Sequence, residues 1–125
     1  MQNAAEGTTV DRPYDTITLD ELRSQLAAGS IQEFWNVLTD TYFSGEYIPG
    51  SRRVPLDQIG RSVAALSRDV TIVVYCSSFD CPQSHAAAEK LAALGFTNVA
   101  VYAGGLKEWE DAGYELVATG TAVIP

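Results

Sequence analysis

The sequence is poor in basic residues, in cysteine and in long apolar runs, and each shortage excludes a class of protein. Eight Lys and Arg stand against 16 Asp and Glu, so the formal net charge is −8. Nucleic acids and anionic lipid surfaces need a basic face, and neither is expected as a partner. Two cysteines are too few for the disulfide framework of a small secreted domain. No apolar stretch approaches the roughly 20 residues of a membrane-spanning helix.

The N-terminal residues also lack the features of a secretory leader. Residues 1–7 contain no basic segment and no apolar stretch, which favours a cytoplasmic location. Of the 125 residues 46% are apolar, enough for the core of one domain. We therefore predict a loose lead-in over residues 1–15, a single domain over residues 16–117 and a C-terminal tail over residues 118–125.

Strand-like and helix-like patterns alternate along the chain. Thr18 and Glu21 form a capping box at the start of the first helix, which Gly29 ends. The β-branched run over residues 70–75 does not alternate with polar residues, which is typical of a strand buried on both faces. The patterns predict further strands over 32–38, 52–54 and 98–102, and further helices over 55–66, 82–94 and 106–111, with Ala87, Leu91 and Leu94 on the buried face of the second-last helix.

This alternation predicts an α/β domain with a mainly parallel sheet and helices on both sides. Ligand sites in such sheets lie beyond the carboxyl ends of the strands. Cys76 follows the most apolar strand, so the site is expected there. The loop after Leu38 and the Gly104-Gly105 turn are expected at the same edge.

Cys76 ends a strand and begins a loop that leads at once into a helix. Backbone N–H groups at a helix N-terminus favour a thiolate, so we expect a reactive thiol with a lowered pKa. The other cysteine, Cys81, lies in the same loop. Its position suits either a small residue near the helix cap or a resolving thiol. Asp80 is expected to cap the helix. A single histidine, His85, gives with the cysteines at most three ligands, so no metal site is predicted.

Five segments, in order, resemble the rhodanese-like sulfurtransferase family. They cover roughly residues 16–117. The segments are Ile48-Pro49-Gly50-Ser51 with Val54-Pro55-Leu56, Val73-Val74-Tyr75-Cys76, Ala87-Ala88-Glu89-Lys90-Leu91, Gly95-Phe96-Thr97-Asn98-Val99, and Gly104-Gly105-Leu106-Lys107-Glu108-Trp109 with Ala112-Gly113-Tyr114. The resemblance implies a doubly wound α/β fold with a short, mainly parallel, five-stranded sheet flanked by helices.

The resemblance also implies an enzymatic role. A thiolate at Cys76 accepts a sulfane sulfur as a persulfide, from a small anion such as thiosulfate or from another persulfide, and passes it to a thiol or another nucleophilic acceptor, a protein among them. No cofactor is implied. The residues expected to contact the substrate through N–H or hydroxyl groups, or by lining the loop, are Ser77, Ser78, Phe79, Asp80, Cys81 and Ser84.

The cysteine loop departs from the family pattern in ways that keep two other functions open. Cys81 stands where many active members have arginine, and Asn36 and Tyr47 replace a common aspartate and histidine. A second thiol in this position suits a Cys76–Cys81 redox switch without sulfur transfer. A loop without a basic residue also suits a non-catalytic binding module that retains the fold. Phosphatase chemistry is disfavoured because it needs an arginine to hold the oxyanion.

Overall fold

A five-stranded parallel sheet forms the centre of the computed structural model, which describes residues 14–118. Its strands are β1 (Asp15–Ile17), β2 (Glu33–Asn36), β4 (Arg52–Arg53), β5 (Ile72–Tyr75) and β6 (Val99–Tyr102). The spatial order is β1-β6-β5-β2-β4. Two further strands, β3 (Glu46–Tyr47) and β7 (Val117–Ala118), form a separate antiparallel pair.

Helices cover the sheet and connect its strands. They are α1 (Leu19–Ala28), α2 (Ile59–Ser62) preceded by a 3₁₀ turn (Leu56–Gln58), α3 (Gln83–Ala93) and α4 (Gly105–Asp111). Parallel neighbours require such crossovers, so the α/β prediction is confirmed. Across residues 14–118, none of these helices has the length and apolar character needed to cross a bilayer.

The capping box predicted for α1 is present. The Thr18 hydroxyl accepts from the Glu21 backbone N–H at 3.1 Å, and the Glu21 carboxylate accepts from the Thr18 N–H at 2.8 Å. Gly29 ends the helix with φ of 70°, a left-handed conformation that favours glycine. The local sequence therefore defines both ends of this helix.

Strand β5 is the central strand of the sheet and is fully buried. Its four residues pair in parallel with β2 on one side and β6 on the other, with Tyr75 opposite Asn36 and Tyr102. Both faces are covered, as the unbroken β-branched run predicted. The chain leaves β5 at Cys76, so this thiol lies at the carboxyl edge of the sheet.

Four local predictions were wrong or incomplete. Strand β1 was not predicted, because three residues are too few to show a period, and it pairs with β6 as an edge strand. The helix predicted to Leu66 ends at Ser62. Leu94 is 37% exposed, and Ala88 is buried with Ala87 and Leu91 instead. The start of the predicted tail, Ala118, belongs to β7; residues 1–13 and 119–125 lie outside the described residues.

Candidate active site

The loop that follows β5 is held from behind by the N-terminus of α4. Leu106 N–H donates to the Cys76 carbonyl at 3.1 Å, and Lys107 N–H donates to the Ser77 carbonyl at 2.9 Å. Because these carbonyls face α4, the N–H groups of Ser77 and Ser78, which belong to the same two trans peptides, are directed to the other side. The expected approach of the Gly104-Gly105 turn to the cysteine is confirmed.

Gly105 makes this close approach of α4 to the loop sterically feasible. Its φ is 62°, and a Cβ at this position would lie 2.9 Å from the Ser78 nitrogen and nearer still to the Cys76 carbonyl oxygen. Such distances are not tolerated by backbone atoms, which cannot move aside as a flexible side chain can. Gly105, the second glycine of the pair, is therefore needed to place the cysteine loop against the helix.

Tyr75 fixes the strand end from the opposite side. Its buried hydroxyl accepts from the Ile48 N–H at 2.9 Å and lies 2.6 Å from the Ser51 hydroxyl, which in turn lies 2.6 Å from the Ile48 carbonyl. Burial raises the pKa of Tyr75 to about 12, which these hydrogen bonds only partly offset, so the group is neutral at physiological pH. The Pro49-Gly50 turn is thus tied to the residue before Cys76.

A cleft of about 370 Å³ opens at this edge of the sheet. One side, which we call the thiol wall, is formed by residues 77–83. The other side, the opposite wall, consists of residues 38–43 after β2. The residues that line the cleft are Leu38, Tyr42, Ser77, Ser78, Asp80, Cys81, Pro82 and Gln83.

Cys76 is buried beneath the thiol wall, with 1% of its surface exposed. Its Sγ donates to the Cys81 carbonyl oxygen at 3.3 Å and lies 3.3 Å from the Ser84 hydroxyl. Burial, and then the Cys81 side chain, raise the pKa of Cys76 to about 11, although the Ser84 hydroxyl and backbone act in the other direction. The expected lowering of this pKa is wrong, because desolvation exceeds the effect of the α3 N-terminus.

Cys81 is half-buried and is the only cysteine among the described residues that line the cleft. Burial alone would raise its pKa. Hydrogen bonds from the Cys76 thiol, from the backbone of Ser77 and Gln83, and from the Ser77 hydroxyl outweigh that effect and lower the pKa of Cys81. Backbone groups of Ser77 and Gln83 thus act on Cys81, while a backbone group of Ser84 acts on Cys76, so the N–H donors predicted around Cys76 are divided between the two thiols.

Arg53, Asp40 and Gln83 position the opposite wall. The Arg53 guanidinium donates to the Leu38 carbonyl at 2.9 Å, pairs with Asp40 at 2.8 Å and lies 4.1 Å from the centre of the Phe43 ring. The Gln83 side chain bridges the walls, accepting from the Thr39 N–H at 3.1 Å. The predicted approach of the loop after Leu38 is confirmed.

The cleft carries little positive charge of its own. None of the eight residues that line it within the described chain is Lys, Arg or His, and Asp80 contributes a carboxylate. Asp80 does not cap α3: Pro82 occupies that position, with no hydrogen bond from a capping side chain. Residues 14–118 contain no group of three His, Cys, Asp or Glu side chains arranged to hold a metal ion. His85 instead lies 3.0 Å from the Tyr14 hydroxyl.

The structure brings most of the predicted site residues together. Ser77, Ser78, Asp80 and Cys81 line the cleft, while Ser84 is buried beside Cys76 and Phe79 is exposed at the loop tip, outside the lining. Sequence reasoning missed four residues of the lining: Leu38, Tyr42, Pro82 and Gln83. Gln83 meets Thr39 across 44 positions of sequence, and no local pattern announces such a contact.

Comparison with known proteins identifies the family. The profile of the rhodanese-like domain matches residues 18–112. The chain belongs to this family of proteins. A relative from Synechocystis, the uncharacterized protein slr1261, is 31% identical over 107 residues, which cover 86% of this chain and 56% of that protein. The matched segment thus spans little more than half the length of this relative.

Solved structures share the fold. The BH2092 protein of Bacillus halodurans is 25% identical with a TM-score of 0.73, covering 86% of this chain and 78% of its own. A thiosulfate sulfurtransferase of Pseudomonas aeruginosa is 27% identical with a TM-score of 0.72, covering 84% and 20%. The human single-domain sulfurtransferase TSTD1 is 23% identical with a TM-score of 0.68, covering 77% and 95%. The chain therefore has a fold that sulfurtransferases use.

Proposed function

We propose that the protein is a sulfurtransferase that holds a sulfane sulfur as a cysteine persulfide and passes it to a thiol or another nucleophilic acceptor. One observation carries the proposal: two thiols lie in one loop at the carboxyl edge of a parallel sheet, beside an open cleft, in a chain of the rhodanese-like family. The sequence prediction assigns the persulfide to Cys76. The proposed function requires only that one of the two thiols, Cys76 or Cys81, carries the persulfide.

The loop suits a persulfide because its anion needs donors rather than a metal or a cofactor. Cys81 accepts hydrogen bonds from the Ser77 and Gln83 backbone in the folded protein. Backbone N–H groups stabilise an anion without side-chain charge. Leu106 holds the Cys76 carbonyl against α4, so the Ser77 N–H of the same peptide keeps its direction.

The cleft favours a donor of low charge. Asp80 lines the site and no basic side chain of the described residues does, so the thiosulfate dianion meets repulsion without a charged partner. Leu38, Tyr42 and Pro82 offer apolar contact instead. The preferred donor is therefore an organic persulfide, with thiosulfate a poorer substrate.

Intact-mass spectrometry tests the function independently of which thiol reacts. Reduced protein is exposed to thiosulfate, cysteine persulfide and glutathione persulfide, next to a variant with both Cys76→Ser and Cys81→Ser. The wild-type chain is expected to gain one sulfur that a thiol acceptor removes, and the double variant is expected to gain none. Absence of added sulfur with every donor, in protein whose thiols alkylate normally, would overturn the proposal.

A redox switch is a second candidate function because the two cysteines lie close together in one loop. The Cys76 Sγ lies 3.3 Å from the Cys81 carbonyl oxygen, and both cysteines are free. Peroxide would oxidise the two thiols to a disulfide, with water as the reduced product. Peptide mapping after peroxide treatment checks this; thiols that never pair under any oxidant would eliminate this function.

A further inference from the structure

The two thiols of the loop differ in their access to the cleft, and this difference decides which one meets a donor. We infer that Cys81, rather than Cys76, attacks the sulfur donor and first holds the sulfane sulfur, while Cys76 remains the buried, protonated thiol that positions it. This inference rests on the proposed function and assigns the order of events within it. It gives Cys81 the carrier role that the sequence resemblance implies for Cys76.

Geometric access favours Cys81. A thiolate attacks a sulfur–sulfur bond along the line of that bond, so the donor must reach the nucleophilic sulfur directly. Cys81 lines the cleft, whereas Cys76 is 1% exposed and lies under the loop. Exposing Cys76 would require the later part of the loop to move, because its Sγ contacts the Cys81 carbonyl oxygen and the Ser84 hydroxyl.

Hydrogen bonding also distinguishes the two sulfurs, and it too favours Cys81 as the nucleophile. The Cys76 thiol lies 3.3 Å from the Cys81 carbonyl oxygen, and it has both this oxygen and the Cys81 sulfur as acceptors for its one proton; either bond stabilises the neutral form of Cys76. The Cys81 sulfur accepts from the Ser77 and Gln83 backbone, and these bonds stabilise an anion. The pKa of Cys81 is lowered and that of Cys76 is raised to about 11, so at neutral pH the thiolate of the pair resides mainly on Cys81.

The proposed step balances without an oxidant. The Cys81 thiolate attacks the outer sulfur of a donor persulfide R–S–SH; the bond from Sγ to that sulfur forms, and the donor's S–S bond breaks. The thiolate RS⁻ leaves with the electron pair and takes up the proton of the transferred sulfur. The products are a Cys81 persulfide anion and the thiol RSH, and an acceptor thiolate removes the sulfur by the reverse type of attack.

Alkylation kinetics test which of the two thiols is the more reactive, and they do so independently of sulfur transfer. Native, reduced protein is treated with limiting iodoacetamide between pH 6 and 10, denatured, and cut before Asp80, which separates Cys76 from Cys81. We expect Cys81 to react first, at least about tenfold faster than Cys76 at pH 7, because each unit of pKa difference changes the thiolate fraction about tenfold. Faster alkylation of Cys76 would overturn the inference.

The positioning role of Cys76 has a matched pair of variants. Cys76→Ser keeps a hydrogen-bond donor and Cys76→Ala removes it. The pH midpoint for Cys81 alkylation is expected to rise in Cys76→Ala and to stay nearer the wild-type value in Cys76→Ser. A merely structural role of Cys76 predicts equal midpoints in the two variants, and that result would remove the positioning role.

Sulfur loading of the single variants completes the test with cysteine persulfide as the donor. Loading is expected to persist in Cys76→Ser and to vanish in Cys81→Ser. The opposite pattern, loading in Cys81→Ser and none in Cys76→Ser, would overturn the inference and leave the proposed function standing. No loading of the wild-type chain, with Cys81 still alkylated quickly, would overturn the proposed function itself, and the inference with it.

Discussion

The two walls of the cleft are built in different ways. The thiol wall is held by main-chain hydrogen bonds from α4 and by the close approach of Gly105. The opposite wall is held by side chains, chiefly Arg53 and Gln83. Main-chain contacts of buried segments leave few alternative conformations, whereas long side chains at the surface can rearrange. In the proposed function, the thiol wall would orient the nucleophile and the opposite wall would accommodate different donors.

Among substitutions that test this difference between the walls, we expect the largest effect at Gly105, which supports the thiol wall. Gly105→Ala combines a left-handed φ with a clash against the Cys76 carbonyl and Ser78 nitrogen, and we expect a loss of about 3 kcal/mol or more in free energy of unfolding. Urea denaturation measures it. Gly29→Ala is the control, since its φ is 70° but its Cβ meets nothing within 4 Å; about 1–2 kcal/mol is expected there. Equal losses would show that the clash is unimportant.

Substitution of Tyr75 should have a smaller effect on stability, at the end of the strand that leads into the thiol wall. Tyr75→Phe leaves the buried Ile48 N–H without its acceptor, which should cost about 2 kcal/mol. The control Tyr42→Phe, at a ring that is 65% exposed, should change stability by less than about 0.5 kcal/mol. Similar urea midpoints for the two variants would contradict this account of Tyr75.

The stability of the protein should also depend on the ionisation of Tyr75. Its pKa is about 12 in the folded chain and 10.0 as a reference. Since the folded state then retains the proton longer than the unfolded state, this contribution to stability is complete below pH 10 and falls as the pH rises towards 12. Tyr75→Phe should show a shallower decline over that interval, which urea titrations at several pH values would detect.

The opposite wall should respond more in substrate binding than in stability. Arg53→Ala removes the hydrogen bond to Leu38 and the ion pair with Asp40, with an expected cost of about 1 kcal/mol. Because the wall loosens, KM for a persulfide donor should rise while kcat changes less. Arg52→Ala is the control, since its ion pair with Glu33 is exposed and worth at most about 0.5 kcal/mol. An equal effect of the two substitutions would show that Arg53 does not position the wall.

The smallest expected effect concerns charge in the cleft. Asp80→Asn removes the lining carboxylate and should raise the rate of thiosulfate loading roughly two- to fivefold at low salt, with a smaller gain for an alkyl persulfide, which carries one negative charge instead of two. Salt should reduce the gain. Glu89→Gln, an exposed change on α3 outside the cleft lining, is the matched control. A gain that is equal for both donors would argue against repulsion as the cause.

Local sequence was sufficient for the parts of the fold that depend on neighbouring residues. The capping box at Thr18 and Glu21 defined α1, and the β-branched run to Tyr75 identified a strand buried on both faces. The position of Cys76 at the end of this strand followed from the same pattern. Together with the family motifs, these features predicted the five-stranded sheet and the edge at which the cleft opens.

Only the tertiary structure decided the state of the two thiols. Both the loop and the helix after it were visible in the sequence, and local reasoning favoured a thiolate at Cys76. Burial of Cys76 depends on where α4 and Ser84 lie in space, and the donors to Cys81 depend on how the loop turns. The sequence by itself determined that a pair of cysteines lies at this strand end. The tertiary structure decided which thiol faces the cleft, because desolvation and hydrogen-bond direction are set by contacts between segments far apart in the chain.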